Sequence, residues 1–248
     1  MSRKLLGRKN YGSIPHLPGS RPNSPSDKTV GIGGLRILTQ KARPGDEIFV
    51  QEKLDGSNVG VYKKDGVLYP VTRSGHHART SPYSQHIMFA DWLDDPDIWE
   101  RFDSVLSEGE RIVGEWLVLA HGTKYNLPHE PFVAFDLMTP VDQFGNSSRT
   151  TYDEMIERFG GEFVLPNLIH RGGPCTIGTA LKALRNGGGH GAIDPPEGAV
   201  WRCEREGKIE FLAKFVRDGK EDGCYLFDSE IWNIWIGKPY LRGATDGS

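Results

Sequence analysis

Cysteine is scarce: three in 248 residues, Cys175, Cys203 and Cys224, far apart and without CxxC spacing. An odd number at such separations argues against a disulfide framework and a thiolate zinc site, and it fits a reducing, cytoplasmic location. No apolar run is long enough to span a bilayer, and the start MSRKLLGRKN is basic and polar, so no membrane partner is expected. GxxxxGK[ST], HExxH, GxSxG and EF-hand spacings are all absent. Gly187, Gly188 and Gly189 therefore read as a helix stop and loop rather than a phosphate cradle. His76 and His77 are adjacent and would point to opposite faces of a strand, a poor arrangement for one metal ion.

What is present is ordinary in bulk and uneven in detail. Hydrophobic residues make up 37% and charged residues 25%, enough for one large domain with a real core. The net charge of −3 does not announce a polyanion binder. Residues 1–80, however, hold 14 Lys/Arg against 6 Asp/Glu, while residues 91–115 hold 2 against 9. Two readings fit: solvated faces of opposite sign, or a first third that lines a surface for a polyanion.

Residues 12–34 are rich in Pro, Gly and Ser and read as irregular. IFVQEKL (48–54) is strand-like. SNVGVYKK and VLYPVTRS alternate with period 2 around Asp65-Gly66, which predicts a hairpin. Residues 84–105 suit two short amphipathic helices broken near Pro96. Strands follow at 111–119 and 131–138, then a helix over about 149–159 that Gly160 and Gly161 stop. A strand EFVLP (162–166), a helix TIGTALKALRN (176–186) and a hairpin across Glu206-Gly207 complete the pattern. Trp232 and Trp235 in SEIWNIWIG read as the apolar face of a helix. Hairpins with helices between them predict an α+β fold on antiparallel sheets.

The stretch EKLDGSN (52–58) places Lys53 at the end of an apolar run. An amine attacks only when neutral, and an unperturbed lysine at pH 7 is neutral in roughly 1 part in 2,500. Partial burial and nearby cations would lower the Lys53 pKa and make it a nucleophile. Asp55 shares its face of an extended chain, and Gly56 allows a tight turn or a close approach.

Read with later stretches, this segment resembles the nucleophile motif of the covalent nucleotidyltransferases, the RNA ligases, DNA ligases and mRNA capping enzymes. KLDGSN (53–58) is followed in order by TRSG (72–75), GEW (114–116), FVAFDLM (132–138), EGAV (197–200) and FLAKFVR (211–217). Each match is weak alone; six in order are strong. Asn58 is similar to the asparagine of RNA ligases of the T4 nick-sealing type, where DNA ligases and capping enzymes carry arginine. IPHLPGSR (14–21) and KFVRDGK (214–220) resemble small stand-alone ligases of bacteria and phages, and no physical role for IPHLPGS follows from its composition.

The resemblance implies an ATP-dependent RNA ligase that joins RNA 3′-OH and 5′-phosphate ends through a lysyl-AMP intermediate, with Mg²⁺ or Mn²⁺, as in RNA repair. Lys53 would be the nucleophile, Lys214 would neutralise the α-phosphate, and Asp55 would orient the lysine or metal, its rival role being an Asx turn. Glu52 and Asn58 would belong to the nucleotide site, Glu115 would accept from the ribose hydroxyl, Arg73 would contact the ribose or a phosphate, and Phe135 would stack on adenine or serve as plain core. Glu197 would be the metal contact. One departure stands out: the fifth motif usually has two lysines with one residue between them, but Val216 follows Lys214 at that spacing. Arg217 would supply the second charge, or that contact is missing.

The implied organisation is one nucleotidyltransferase domain over 1–248, with an irregular segment 1–45, a motif-bearing core 46–217 and a short extension 218–248. The 31 residues after Arg217 (248 − 217) are too few for the OB-fold of DNA ligases. A DNA or hybrid-nick ligase and a catalytically silent nucleotide- or RNA-binding domain are the alternatives. Protein partners are not indicated.

Overall fold

The structure is a computed structural model that describes residues 4–22, 24–185, 187–220, 223–226 and 231–235. Its elements in order are α1 (Ile32–Thr39), β1 (Asp46–Lys53), β2 (Ser57–Lys64), β3 (Val67–Thr72), a 3-10 turn (Ala78–Thr80), α2 (Ser84–Leu93), α3 (Pro96–Val105), β4 (Arg111–Trp116), β5 (Asn126–Leu127), β6 (Phe132–Met138), α4 (Tyr152–Phe159), β7 (Leu168–Gly172), α5 (Ile177–Ala183), β8 (Gly198–Arg205), β9 (Lys208–Val216) and β10 (Ile234–Trp235). Two four-stranded sheets, in the orders β3-β2-β4-β6 and β7-β1-β8-β9, carry the fold, and every pairing within them is antiparallel. Among the described residues no helix is long and apolar enough to cross a membrane.

Local chemistry explains most boundaries. Asp65 and Gly66 both have positive φ, 52° and 71°, as a two-residue turn matched to the strand twist requires, and Glu206-Gly207 repeats this at 51° and 70°. Pro96 starts α3 rather than kinking one long helix, because the Asp95 carboxylate accepts from the Asp97 and Ile98 N–H groups. Thr151 caps α4 and Gly160 ends it with φ 55°.

Side-chain alternation sorts the second sheet. Ile48 and Val50 of β1, Trp201 and Cys203 of β8 and Ala213 of β9 pack with Leu38 of α1 and with Ala180 and Leu184 of α5 and its end. Gln51 and Lys53, Val200 and Arg202, and Leu212 and Lys214 have the opposite parity and face a cleft toward the first sheet. On the first sheet, α2, α3 and α4 cover the far face through Phe89, Trp92, Phe102, Met155 and Phe159, packed on Val59, Val61, Ile112, Trp116 and Phe132.

Three expectations are corrected. EFVLP is not a strand: Phe163 and Leu165 join the aromatic core, and one bond, Ala134 N–H to Val164 O at 2.8 Å, ties the segment to β6. The strand begins at Leu168, beyond Pro166, and pairs with β1. Residues 231–235 are extended rather than helical; Trp232 bridges Leu119 and is 43% exposed, while Trp235 lies in β10 beside β5. The rest of SEIWNIWIG lies outside the described residues. Irregular structure runs only as far as Gly31, where α1 begins with a glycine N-cap, no capping side chain and two glycines in its first turn, so no helix-start signal exists to read.

Phe89 is fully buried against the rings of Trp92, Trp116 and Phe132. Phe89→Ala is expected to cost about 3–5 kcal/mol in denaturant unfolding. Ile32→Ala, at a position 87% exposed, is expected to stay within about 0.5 kcal/mol of the parent.

Candidate functional site

The chain passes directly from one sheet to the other at a short crossover. Strand β1 ends at Lys53, and β2 of the other sheet starts at Ser57. At Gly56 between them a Cβ would lie 2.6 Å from the Trp116 carbonyl oxygen and 2.9 Å from Leu117 Cδ2, so only glycine lets the chain pass this close to β4. Register does the rest. Lys53 pairs with Gly198, which puts Glu197 beside it; Val200 pairs with Lys214; Asn58 pairs with Glu115. These groups line one cleft cavity of ≈ 240 Å³.

Lys53 Nζ forms an ion pair with Glu197 Oε2 and donates to Leu54 O at 3.3 Å. Burial by itself would push the Lys53 pKa down, but Glu197, Glu115 and Asp55 outweigh it and the pKa is raised. This corrects the expectation of a lowered value: the immediate neighbours are carboxylates, not cations. Burial, reinforced by Glu197 and Asp55, pushes the Glu115 carboxyl up to about 8, and its Oε1 accepts from Gly56 N–H at 3.1 Å. Lys214 is shifted down, first by burial and then by Lys53.

Asp55 lines the cavity, yet its carboxylate is engaged from the other side. Oδ2 accepts from Gly122 N–H (2.9 Å) and Thr123 Oγ1 (3.1 Å), while its N–H donates to the Tyr125 hydroxyl. Lys220 Nζ secures the same loop by donating to Gly122 O and Thr123 Oγ1. The carboxylate thus fixes the 122–125 loop to the crossover. Glu52 is buried, and its Oε2 accepts from Gly189 N–H at 2.7 Å. A Cβ on Gly188 would fall 2.0 Å from Glu52 Oε1, so the glycine run expected to be only a helix stop also wraps a carboxylate.

Phe135 reaches the cavity wall through a bulge. The β4–β6 register passes from Val113↔Asp136 to Gly114↔Ala134 and skips Phe135, whose ring stands edge-on to Tyr11 at 5.2 Å. Arg73 is exposed at the rim and donates to Ser13 Oγ at 3.1 Å. Arg217 is not brought to the cavity. Its parity is opposite to that of Lys214, and its guanidinium donates to Leu181 O at 3.1 Å on the α5 side of the sheet.

Several wall residues carried no signal in the sequence. Tyr11 and Arg202 are drawn in by Asp136, which accepts from the Tyr11 hydroxyl, from Arg202 and, at 2.9 Å, from Arg149 Nε. Only Asp136, inside FVAFDLM, could have been suspected. The IPHLPGS stretch now has a physical role: it forms an edge strap on β9. Lys214 N–H donates to Pro15 O (2.9 Å), Leu17 N–H to Lys214 O (2.8 Å), and Val216 N–H to Ser20 Oγ (2.9 Å). His16 is buried behind Lys214 with Nδ1 2.7 Å from Ser20 Oγ.

Among the described residues, four buried polar atoms of the wall have no hydrogen-bond partner: Gln51 Nε2, Glu52 Oε1, Asn58 Oδ1 and Arg202 Nε. Each costs about 1–3 kcal/mol while unmatched, so the cleft is built for a polar ligand that supplies both donors and acceptors. Among the described residues no group of three or more His, Cys, Asp or Glu could hold a metal ion, His76 and His77 included. A hard cation at Glu197 would need most of its oxygens from water and ligand, as Mg²⁺ accepts.

Replacing Glu197 by Gln removes the first of the charges that favour protonated Lys53. Glu197→Gln is expected to move the onset of Lys53 acylation by an amine reagent about 1–3 pH units lower, read by mass spectrometry of the Lys53 peptide across pH.

No curated protein sequence matches the chain. Among solved structures, Naegleria gruberi RNA ligase with PPi is similar at 17% identity and a TM-score of 0.50, covering 88% of this chain and 61% of that one. A putative ATP-dependent DNA ligase from Aquifex aeolicus (18% identity, TM-score 0.49) and an archaeal ATP-dependent RNA ligase (14%, 0.48) each cover 83% of this chain. The chain spans 61%, 49% and 48% of these three proteins' own lengths, and at 17% identity the likeness to the Naegleria gruberi protein is one of fold. The sequence family described as RNA ligase matches residues 46–216, from the start of β1 to the end of β9, and the chain belongs to that family.

Proposed function

We propose that the chain is an ATP-dependent RNA ligase that joins a 3′-OH to a 5′-phosphate through a lysyl-AMP intermediate. The observation that carries this reading is the cleft itself, where Lys53, Glu197 and Lys214 meet beside buried polar atoms that lack partners among the described residues. Those atoms fit a nucleotide: Glu52 Oε1 is an acceptor that the exocyclic amine of adenine would satisfy, and Gln51 Nε2 is a donor for a ring nitrogen or hydroxyl. Phe135 offers a face or edge to the base, and Glu115 accepts from ribose.

Neutral Lys53 Nζ attacks the α-phosphorus of ATP; an N–P bond forms, the bond to the β-phosphate oxygen breaks, pyrophosphate leaves and the amine proton is released. An RNA 5′-phosphate oxygen then attacks the same phosphorus, the N–P bond breaks, and the nitrogen takes up a proton as it leaves, returning the amine. Finally the 3′-oxygen attacks the RNA phosphorus, AMP departs and the hydroxyl proton is lost. All three are displacements at phosphorus, so positioning and charge neutralisation dominate. Lys214 neutralises the α-phosphate. Mg²⁺ or Mn²⁺ held at Glu197 would neutralise the leaving phosphates and draw that carboxylate's charge away from Lys53. Asp55 acts through the loop it anchors.

Incubation with α-labelled ATP and Mg²⁺ tests the reading. Label is expected on Lys53 and absent from Lys53→Ala; an unlabelled parent, or equal label on both, would leave at most a silent nucleotide-binding domain. Lys214→Ala is expected to lower labelling about 10²–10³-fold, as for loss of one charge-stabilising group. Arg217→Ala, whose side chain points to α5, is expected to stay within about 3-fold, since it forfeits one hydrogen bond worth about 1 kcal/mol. Comparing nicked RNA, nicked DNA and single-stranded RNA separates RNA ligation from a DNA or hybrid-nick activity.

A further inference from the structure

A second, larger cavity of ≈ 610 Å³ adjoins the nucleotide cleft, and Gly56, Asn58 and Arg73 line both. Its far wall comes from elements that none of the six motif stretches includes: the turn before α2, the first turns of α2 and the loop after β4. Although the chain is net acidic, no carboxylate lines this cavity among the described residues. Two cations, Lys9 and Arg73, stand at its rim, and hydroxyls and imidazoles make up most of the remainder. The neighbouring acidic side chains are turned elsewhere: Asp91 and Asp94 pair with Arg79. A wall with this composition selects for an anion.

The geometry adds a surface for a base. Tyr83 is 62% exposed, an unusual setting for a ring of that size, and it stands edge-on to His86 with centroids 5.7 Å apart. Ser81 Oγ accepts from Tyr83 N–H at 3.2 Å and lies 2.7 Å from His86 Nδ1, so one hydroxyl ties the ring to the turn before α2. Burial and His121 hold the His86 pKa at about 4, so this imidazole is neutral. His121 in turn is fixed by Gln85 Oε1 at 3.2 Å. The wall is therefore preorganised, with donors and an open aromatic face, and it meets the first cavity at Arg73.

We propose that this second cavity receives the 5′-phosphorylated end of an incoming RNA strand, with Lys9, Arg73 and the imidazole wall around its phosphates and Tyr83 stacked on a base. The assignment rests on the ligase reading, because it is the terminal phosphate oxygen of that strand that must reach the phosphorus on Lys53. It also gives the basic first third of the chain a place to act: Lys9 and Arg73 both belong to it.

Fluorescence anisotropy with a short single-stranded RNA, carrying either a 5′-phosphate or a 5′-hydroxyl, tests the site without requiring catalysis. The parent is expected to bind the phosphorylated strand more tightly. Tyr83→Ala is expected to raise its Kd about 10-fold, the size of one lost stacking contact, while Tyr83→Phe restores it. Equal binding of the two strands by the parent, or unchanged affinity in Tyr83→Ala, overturns the proposal. Labelling by α-labelled ATP, run in parallel, reports the nucleotide cleft separately. Failure of the parent to label with this strand preference intact removes the ligase reading and leaves the strand site standing. Normal labelling without the preference does the reverse.

Discussion

Gly56 has no room for a side chain, and the architecture turns on that constraint. Within three residues the chain leaves an interior strand of one sheet, passes against the Trp116 carbonyl and enters the other. The two sheets can then face each other across a cleft, with Lys53 on one lip and Asn58 on the other. A second glycine closes the arrangement from below: a Cβ on Gly198 would fall 1.8 Å from Phe215 O, so β8 and β9 approach closely where Lys53 and Glu197 meet. A bulkier residue at either position would separate the groups that the register brings together.

The cleft so formed is electrostatically unfinished. Lys53 lies among carboxylates, Glu115 is pushed toward its neutral form, and four polar atoms of the wall are buried without partners among the described residues. At about 1–3 kcal/mol each, those atoms alone forgo an amount comparable with the net stability of a domain, about 5–15 kcal/mol. Such a deficit is tolerable where a ligand resolves it, and the surrounding network is arranged to keep it rigid meanwhile. Asp136 ties together Tyr11, Arg149 and Arg202, Asp55 ties down the 122–125 loop, and the glycines 188 and 189 enclose Glu52. The N-terminal strap performs the same service for β9, bonding the backbone on both sides of Lys214. Val216, where the family motif has a second lysine, is buried under that strap, and its N–H is taken by Ser20. The end of β9 is thereby held by backbone pairing, and Lys214 alone of the two motif positions presents a cation to the cleft.

Local patterns foretold what local forces control. Both hairpins, the break at Pro96, the capped α4 and the alternation of β8 and β9 follow from turn conformations, caps and side-chain period, which a dozen residues specify among themselves. EFVLP failed because its apolar residues were claimed by an aromatic core assembled from α3, α4 and β6, and the extended pair at Trp232 and Trp235 because a partner strand, not its own periodicity, sets its conformation. The order KLDGSN, TRSG, GEW, FVAFDLM, EGAV and FLAKFVR was sufficient to identify the family and to nominate the residues of one cleft. It could not say that Arg217 turns away, because a motif records a residue's presence while strand parity determines its face.

The charge state of Lys53 marks the same boundary. Its place in the motif is written in the chain, but its pKa depends on carboxylates at 55, 115 and 197, whose net effect against burial can be weighed only once they surround it. Likewise no pattern linked Tyr83, His86 and His121 to Arg73, since they come from separate segments that meet only when α2 packs beside the β2–β3 hairpin. Residue identity and spacing determined the elements and the family. The direction in which each charge points, and the second cavity it borders, were left to long-range packing, because both depend on distances between atoms that the linear order leaves free.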